Sequence, residues 1–209
     1  MNTPLVEQTF SITQDVRLPD RKVASFFIDP SICRNVCQRC EIRKWKDQPY
    51  RLMSEDAYAK ELVRYSLIGV QLIVFRGGEI ANRASLKAGG ANLEGILTQA
   101  RKVAPVCLWT NGSNPDVIGS LSPYVDGYRI DIKLPLFETV SPEDRAVWEP
   151  ALGYRKGVET YIHNVLESMK RADEMVETYF TSSSWRDMDA RCREIMKARL
   201  KKFNSPFIV

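Results

Sequence analysis

The sequence has one histidine, His163, in 209 residues. A site built on several imidazole ligands is therefore excluded, and His163 is expected to be structural or exposed. No apolar run approaches the roughly 20 residues of a membrane span. Nothing near the N-terminus reads as a targeting segment, and thiols without such a signal lead us to expect a cytoplasmic protein. Internal repeats, low-complexity tracts and linkers are absent, so one domain over residues 1–209 is expected, with its core at about 22–181 and a C-terminal helix at about 185–203. The charge balance is only mildly basic, with 30 Lys and Arg against 26 Asp and Glu. That is too weak to argue for a nucleic-acid partner. Five cysteines are an odd number, which does not suit the disulfide framework of a small secreted domain.

Three of those cysteines, Cys33, Cys37 and Cys40, are spaced C-x3-C-x2-C directly after an apolar run at residues 23–28. Three thiolates on one tight loop can converge on one soft metal centre. They cannot complete a four-cysteine site, and the other candidates, Cys107, His163 and Cys192, lie far along the chain. The spacing alone leaves three readings open: an iron–sulfur cluster with one open position, a zinc site, or a chance cluster of inert thiols. Cys107 and Cys192 lie on apolar patterns and read as buried thiols. Two cysteines cannot hold a second all-cysteine cluster.

Strand and helix patterns alternate along the chain. Apolar β-rich runs at 22–28, 70–75, 106–109 and 126–132 read as buried parallel strands, with a further β-like stretch at 175–181. Ser54 followed by Glu55 and Asp56 reads as a helix start, with a stripe through Ala59, Leu62, Val63 and Ser66. Helices are also expected over 93–103, 114–121, 158–169 and 185–200. Residues 9–13 alternate like an edge strand, and the charged segment 41–46 reads as solvated surface. Residues 136–153 read as a loop with one turn. Strands alternating with helices give a mostly parallel α/β sheet, and five or six β/α units are too few for a closed eight-stranded barrel. The expected fold is a partial, open (β/α)6-type barrel, with its site at the C-terminal ends of the strands.

Residues 76–79 (Arg76, Gly77, Gly78, Glu79), 109–113 (around Asn111) and 125–133 (ending in Asp131 and Lys133) all fall at such strand ends. Glycines let the backbone approach a ligand, and a carboxylate accepts from an ammonium. An Asn-Gly pair alone is equally a plain turn. Asp131 and Lys133 point to one side of their strand, because strand side chains alternate. They read either as ligand contacts or as a surface ion pair.

The cysteine spacing and the order of these motifs resemble the radical SAM (S-adenosyl-L-methionine) superfamily, and within it the small activases of glycyl radical enzymes. The resemblance covers about residues 23–181. It implies that Cys33, Cys37 and Cys40 hold a 4Fe–4S cluster whose open iron binds SAM. An electron then cleaves SAM, and the resulting 5′-deoxyadenosyl radical abstracts a hydrogen atom. It also implies SAM contacts from Gly77, Gly78, Glu79, Asn111 and Lys133, with Asp131 beside them, where some activases hold a monovalent cation. The protein substrate would be a glycyl radical enzyme, and the electron donor a flavodoxin or ferredoxin type. No catalytic side chain is assigned, because the cofactor carries the chemistry. The chain departs from the pattern at three places. Ile80 stands where the family commonly has Pro, Arg39 where an aromatic precedes the third cysteine, and Trp109 where some activases carry Asp.

The segment between Lys133 and Val158 carries Phe137, Trp148 and Tyr154. It is expected either to help admit a partner's glycine loop or to pack its aromatics over the core. Two alternatives share the motifs: a small-molecule radical SAM enzyme like 7-carboxy-7-deazaguanine synthase, and a non-catalytic iron–sulfur or zinc protein on the same fold.

Overall fold

The computed structural model describes residues 2–6, 13–14, 21–29, 37, 51–80 and 93–208. Its spine is a run of parallel strands in chain order: β3 (Lys22–Ile28), β5 (Leu72–Gly77), β6 (Val106–Thr110), β7 (Gly127–Asp131), β8 (Tyr179–Thr181) and β9 (Phe207–Ile208). On the free edge of β3 lie two short antiparallel strands. β1 (Asn2–Val6) pairs with its C-terminal end, Leu5 opposite Ile28, and β2 (Thr13–Gln14) with its N-terminal end, Thr13 opposite Val23. β4 (Leu52–Ser54) adds outside β1. The sheet runs from β4 to β9 without these two pairing, so it is open, as expected for the partial barrel.

The sequence explains the two faces. Successive strand side chains alternate. Ala24, Phe26 and Ile28 of β3, Ile73 and Phe75 of β5, Leu108 of β6 and Ile130 of β7 join the main core, where the helices lie. Val23, Leu72, Val74, Cys107 and Tyr179 point the other way into a separate, smaller cluster that contains no described helix residue. That second face is the inside of the partial barrel.

Helix α1 (Glu55–Leu67) starts where the sequence indicated: Ser54 accepts from the Ala57 N–H at 3.1 Å, with Glu55 and Asp56 in the first turn. Its buried stripe differs from the expected one. Tyr58, Leu62 and Tyr65 face inward, while Val63 is 61% exposed. The tyrosines win because they bring more area and because their rings lie 5.0 and 5.4 Å from the Phe26 ring. The Tyr58 hydroxyl, though buried, donates to the Ile96 carbonyl at 2.6 Å. Burying a ring of this kind contributes roughly 2–3 kcal/mol.

Helices α2 (Leu93–Arg101) and α3 (Pro115–Leu121) follow as expected. The supposed loop at 136–153 is not one: it contains α4, Pro142–Leu152. Ser141 caps it by accepting from the Asp144 N–H, Pro142 opens its first turn, and Gly153 closes it at φ +58°. Pro142 and Gly153, which could equally punctuate a loop, thus bound a helix, and Pro150 lies inside it near its C-terminal end. Phe137 and Trp148 are both buried in the core, so this segment packs its aromatics over the sheet. Helix α5 (Val158–Ala172) is the amphipathic helix predicted. The stretch 175–181 is strand only at Tyr179–Thr181, and the last helix, α6, begins at Ala190 after a 3-10 turn at Trp185–Asp187. No described helix is long and apolar enough to cross a membrane.

Candidate functional site

The C-terminal ends of β5, β6, β7 and β8 meet in one hydrogen-bonded cluster. Gly77 ends β5 at φ +125°, and a Cβ there would stand 2.7 Å from the Ile28 carbonyl oxygen. Only glycine lets β5 lie this close to the end of β3, just before the chain enters the cysteine segment. Gly78 donates to that same carbonyl at 3.4 Å. Glu79 is buried and spans to the next strand. Its Oε1 accepts from the Thr110 hydroxyl at 2.5 Å and its Oε2 from the Asn111 N–H at 2.9 Å.

Asn111 and Gly112 form a turn. Asn111 Oδ1 accepts from the Ser113 N–H at 2.8 Å, and Gly112 sits at φ +72°. The plain-turn reading therefore holds for the amide oxygen; the NH2 end is the part that can meet a ligand. Helix α5 fixes this turn with three polar side chains on one face. Tyr161, Asn164 and Ser168 donate to the carbonyls of Asn111, Ser113 and Gly112 at 3.0, 3.0 and 2.7 Å. Tyr161 also accepts from the Lys133 N–H at 3.2 Å, so one hydroxyl ties the end of β6 to the end of β7.

Asp131 and Lys133 do share a side of their strand. Lys133 Nζ lies 2.6 Å from Asp131 Oδ2 and donates to the Ser183 hydroxyl at 3.1 Å. Asp131 is buried, and its Oδ1 accepts from the Ser183 N–H at 2.7 Å, which pins β7 to the loop after β8. The pair is thus part of the strand-end framework as well as a candidate contact.

Cys37 is half-buried. Cys33, Cys40, Arg39, segment 41–46 and residues 9–12 lie outside the described residues. Burial pushes the Tyr161 phenol well above its ordinary value, against the Lys133 N–H, and the Asp131 and Glu79 carboxylates push the same way as burial. Among the described residues no group of three His, Cys, Asp or Glu is placed to hold a metal.

No protein-family model matches the chain, and no curated protein does. Solved structures match it in fold. One is anSMEcpe with bound AdoMet, at 17% identity and TM-score 0.53, over 89% of this chain and 52% of that one. Another is HydG, a maturase of the FeFe-hydrogenase, at 12% identity and TM-score 0.59, over 95% of this chain and 46% of that one. A third holds anSMEcpe with AdoMet and Cp18Cys peptide, at 18% identity and TM-score 0.50, over 89% of this chain and 50% of that one. The chain shares their fold. It spans about half the length of these structures. The open, mostly parallel barrel implied by the radical SAM resemblance is therefore what the sheet shows.

The remaining motif residues divide cleanly. Ile80, at the position of the family's proline, is fully buried. Cys107 and Cys192 are buried thiols; burial and Asp189 push the Cys192 thiol up to about 11. His163 is exposed on α5, away from the inward-facing Tyr161, Asn164 and Ser168. What sequence reading missed lies on the inner face. Trp109 is sandwiched by charge: the Arg129 guanidinium stacks on its ring at 3.5 Å and Arg76 stands 5.7 Å from it. Arg76 also lies over Phe27 at 4.6 Å, and Arg129 is 5.6 Å from the Tyr179 ring. The available signal was the i, i+2 pattern that puts Val74 with Arg76 and Arg129 with Asp131 on one side of their strands.

Proposed function

We propose that the chain is a radical SAM enzyme and that its substrate is a glycine of a partner glycyl radical enzyme. The observation that carries the first half is the hydrogen-bonded cluster of Glu79, Asn111, Asp131 and Lys133 at the strand ends, in a chain with a C-x3-C-x2-C segment after β3 and a fold shared with AdoMet-bound anSMEcpe. In this reading Cys33, Cys37 and Cys40 would hold a 4Fe–4S cluster which, reduced by a flavodoxin- or ferredoxin-type donor, would supply the electron for radical chemistry on bound SAM.

The chain's own residues bind and orient. Gly77 and Gly78 bring backbone close to the cofactor's methionine end. Glu79 holds Thr110 and Asn111 in place and offers its remaining lone pairs to the ammonium. Lys133 meets the carboxylate, and Asp131 keeps the Lys133 ammonium in position. The Asn111 amide reaches the ribose. Support for a peptide substrate comes from the peptide-bound anSMEcpe structure on the same fold.

The reduced, reconstituted protein, incubated with SAM and a glycyl radical enzyme, should yield a glycyl radical signal in paramagnetic resonance. SAM cleavage without any radical in such enzymes would favour the second reading, a small-molecule substrate. That reading has one structural observation behind it: Trp148 and Phe137 are buried in the core and form no exposed aromatic rim.

A further inference from the structure

Arg21 stands just before β3 and Glu177 just before β8, 156 residues apart in the chain. They meet fork to fork: Arg21 Nη1 donates to Glu177 Oε2 at 2.7 Å, and Nη2 donates to Oε1 at 3.0 Å. In the sheet, β5, β6 and β7 lie between β3 and β8. Four strand spacings in a flat sheet come to about 19 Å, more than an Arg and a Glu side chain span together. The bond therefore forms because the sheet is curled, and it crosses the barrel at its N-terminal end. Val23 and Tyr179, two residues further along, lie in the smaller cluster on the inner face, so the bond stands at the foot of that cluster.

The surrounding chain is shaped to this bond. Gly127 opens β7, and a Cβ there would stand 2.2 Å from the Glu177 carbonyl carbon. Only glycine lets the turn carrying Glu177 lie so close. The Glu177 N–H donates to the Asp126 carbonyl at 3.1 Å. On the other side, Arg21 Nη2 also donates to the Gln71 carbonyl at 3.1 Å, and Gln71 Oε1 accepts from the Lys22 N–H at 3.0 Å. The starts of β3, β5, β7 and β8 are thus tied at one place. The Arg21 and Glu177 side chains are 30% and 17% exposed, and a pair this close to water adds little stability by attraction alone. What two parallel bonds do fix is an angle and a distance.

We propose that Arg21 and Glu177 are positioning residues for the site at the opposite end of the barrel. Their bond sets the curl of the sheet. Through the curl it sets the gap between the ends of β3 and β5, with Gly77 and Gly78, and the ends of β7 and β8, with Lys133 and Ser183. This rests on reading those strand ends as the contacts for the two ends of SAM's methionine part. The seven residues of β3 make a lever about 20 Å long. A ligand that touches both sides of the gap feels its width; a cluster held by one segment after β3 does not.

The test compares wild type, Glu177→Gln, Arg21→Lys and the exchanged pair (Arg21→Glu with Glu177→Arg) after anaerobic reconstitution. SAM affinity is read by calorimetry far below the melting temperature, iron and sulfide are counted, and deuterium uptake is followed in peptides covering 179–185. Glu177→Gln should lower SAM affinity by roughly two- to thirtyfold at unchanged cluster content, and raise uptake at 179–185. The exchanged pair should recover part of the affinity, and Arg21→Lys, with one bond in place of two, should fall between. If Glu177→Gln does not fold, Arg21→Lys and the exchanged pair carry the same comparison. A lowered melting temperature with wild-type SAM affinity and uptake makes the bond purely structural and overturns the inference alone. A wild type that holds a cluster and binds no SAM overturns the SAM reading instead. Uptake then decides for the bond: a rise in Glu177→Gln keeps it as what holds the far strand ends, and no rise removes it.

Discussion

Tyr161 shows how one residue organises the site. Its ring is buried beneath α5, and its hydroxyl links the Asn111 carbonyl to the Lys133 N–H. Tyr161→Phe leaves both backbone groups buried and unmet, which should cost roughly 1–3 kcal/mol in chemical denaturation. It should also weaken SAM binding, because it releases the two strand ends that carry Asn111 and Lys133. Lys133→Met removes a charge-assisted bond worth roughly 1.5–3 kcal/mol, so SAM affinity measured by calorimetry should fall about tenfold or more. Asp131 retains the Ser183 N–H in that variant, so the protein should stay folded. Unchanged SAM affinity in Lys133→Met would leave Lys133 as half of an ion pair and nothing more. The motif residues were legible in the sequence because their spacing marks strand ends. Tyr161, Asn164 and Ser168 were not, because a helix stripe records burial and says nothing about the carbonyls beneath it.

At the scale of elements, strands and long helices were legible because their periods are strong. Helix α4 was not. Pro142 and Gly153 mark its two ends, yet the same residues punctuate loops, and Pro150 removes one backbone donor near its C-terminus. What holds α4 lies far away in sequence. Arg191 of α6 donates to both oxygens of the buried Asp144 at 3.0 and 2.9 Å. The Arg191 guanidinium, with Ser141, holds the Asp144 carboxyl below its ordinary value. A depressed carboxyl contributes stability that is present above its unfolded value, about pH 4, and is lost as pH falls through its folded value. Asp144→Asn should therefore lower stability at pH 7 and flatten its decline below about pH 4 in acid titrations followed by circular dichroism. An acid limb identical to the wild type would remove Asp144 from the account. The short strand β9 was also hidden, since two residues cannot show a period; it is fixed by pairing Phe207 with Phe180.

For the whole molecule, alternating strands and helices sufficed to anticipate an open, mostly parallel barrel and the strand ends at which Glu79, Asn111 and Asp131 lie. The inner-face row of Phe27, Arg76, Trp109, Arg129 and Tyr179 was out of reach, because it depends on register between five strands, and a single residue of slip would turn every one of its side chains to the other face. The proposed radical chemistry turns on Cys33, Cys37 and Cys40 acting with the strand-end cluster on SAM. The most direct measurement is 5′-deoxyadenosine formed per chain by anaerobically reconstituted, dithionite-reduced protein, with iron and sulfide counted in the same sample. Wild type should hold one oxygen-sensitive 4Fe–4S cluster and cleave SAM, Cys37→Ser should do neither, and Cys107→Ser should do both. Stoichiometric zinc in place of iron, or a loaded cluster that leaves SAM intact, would contradict it.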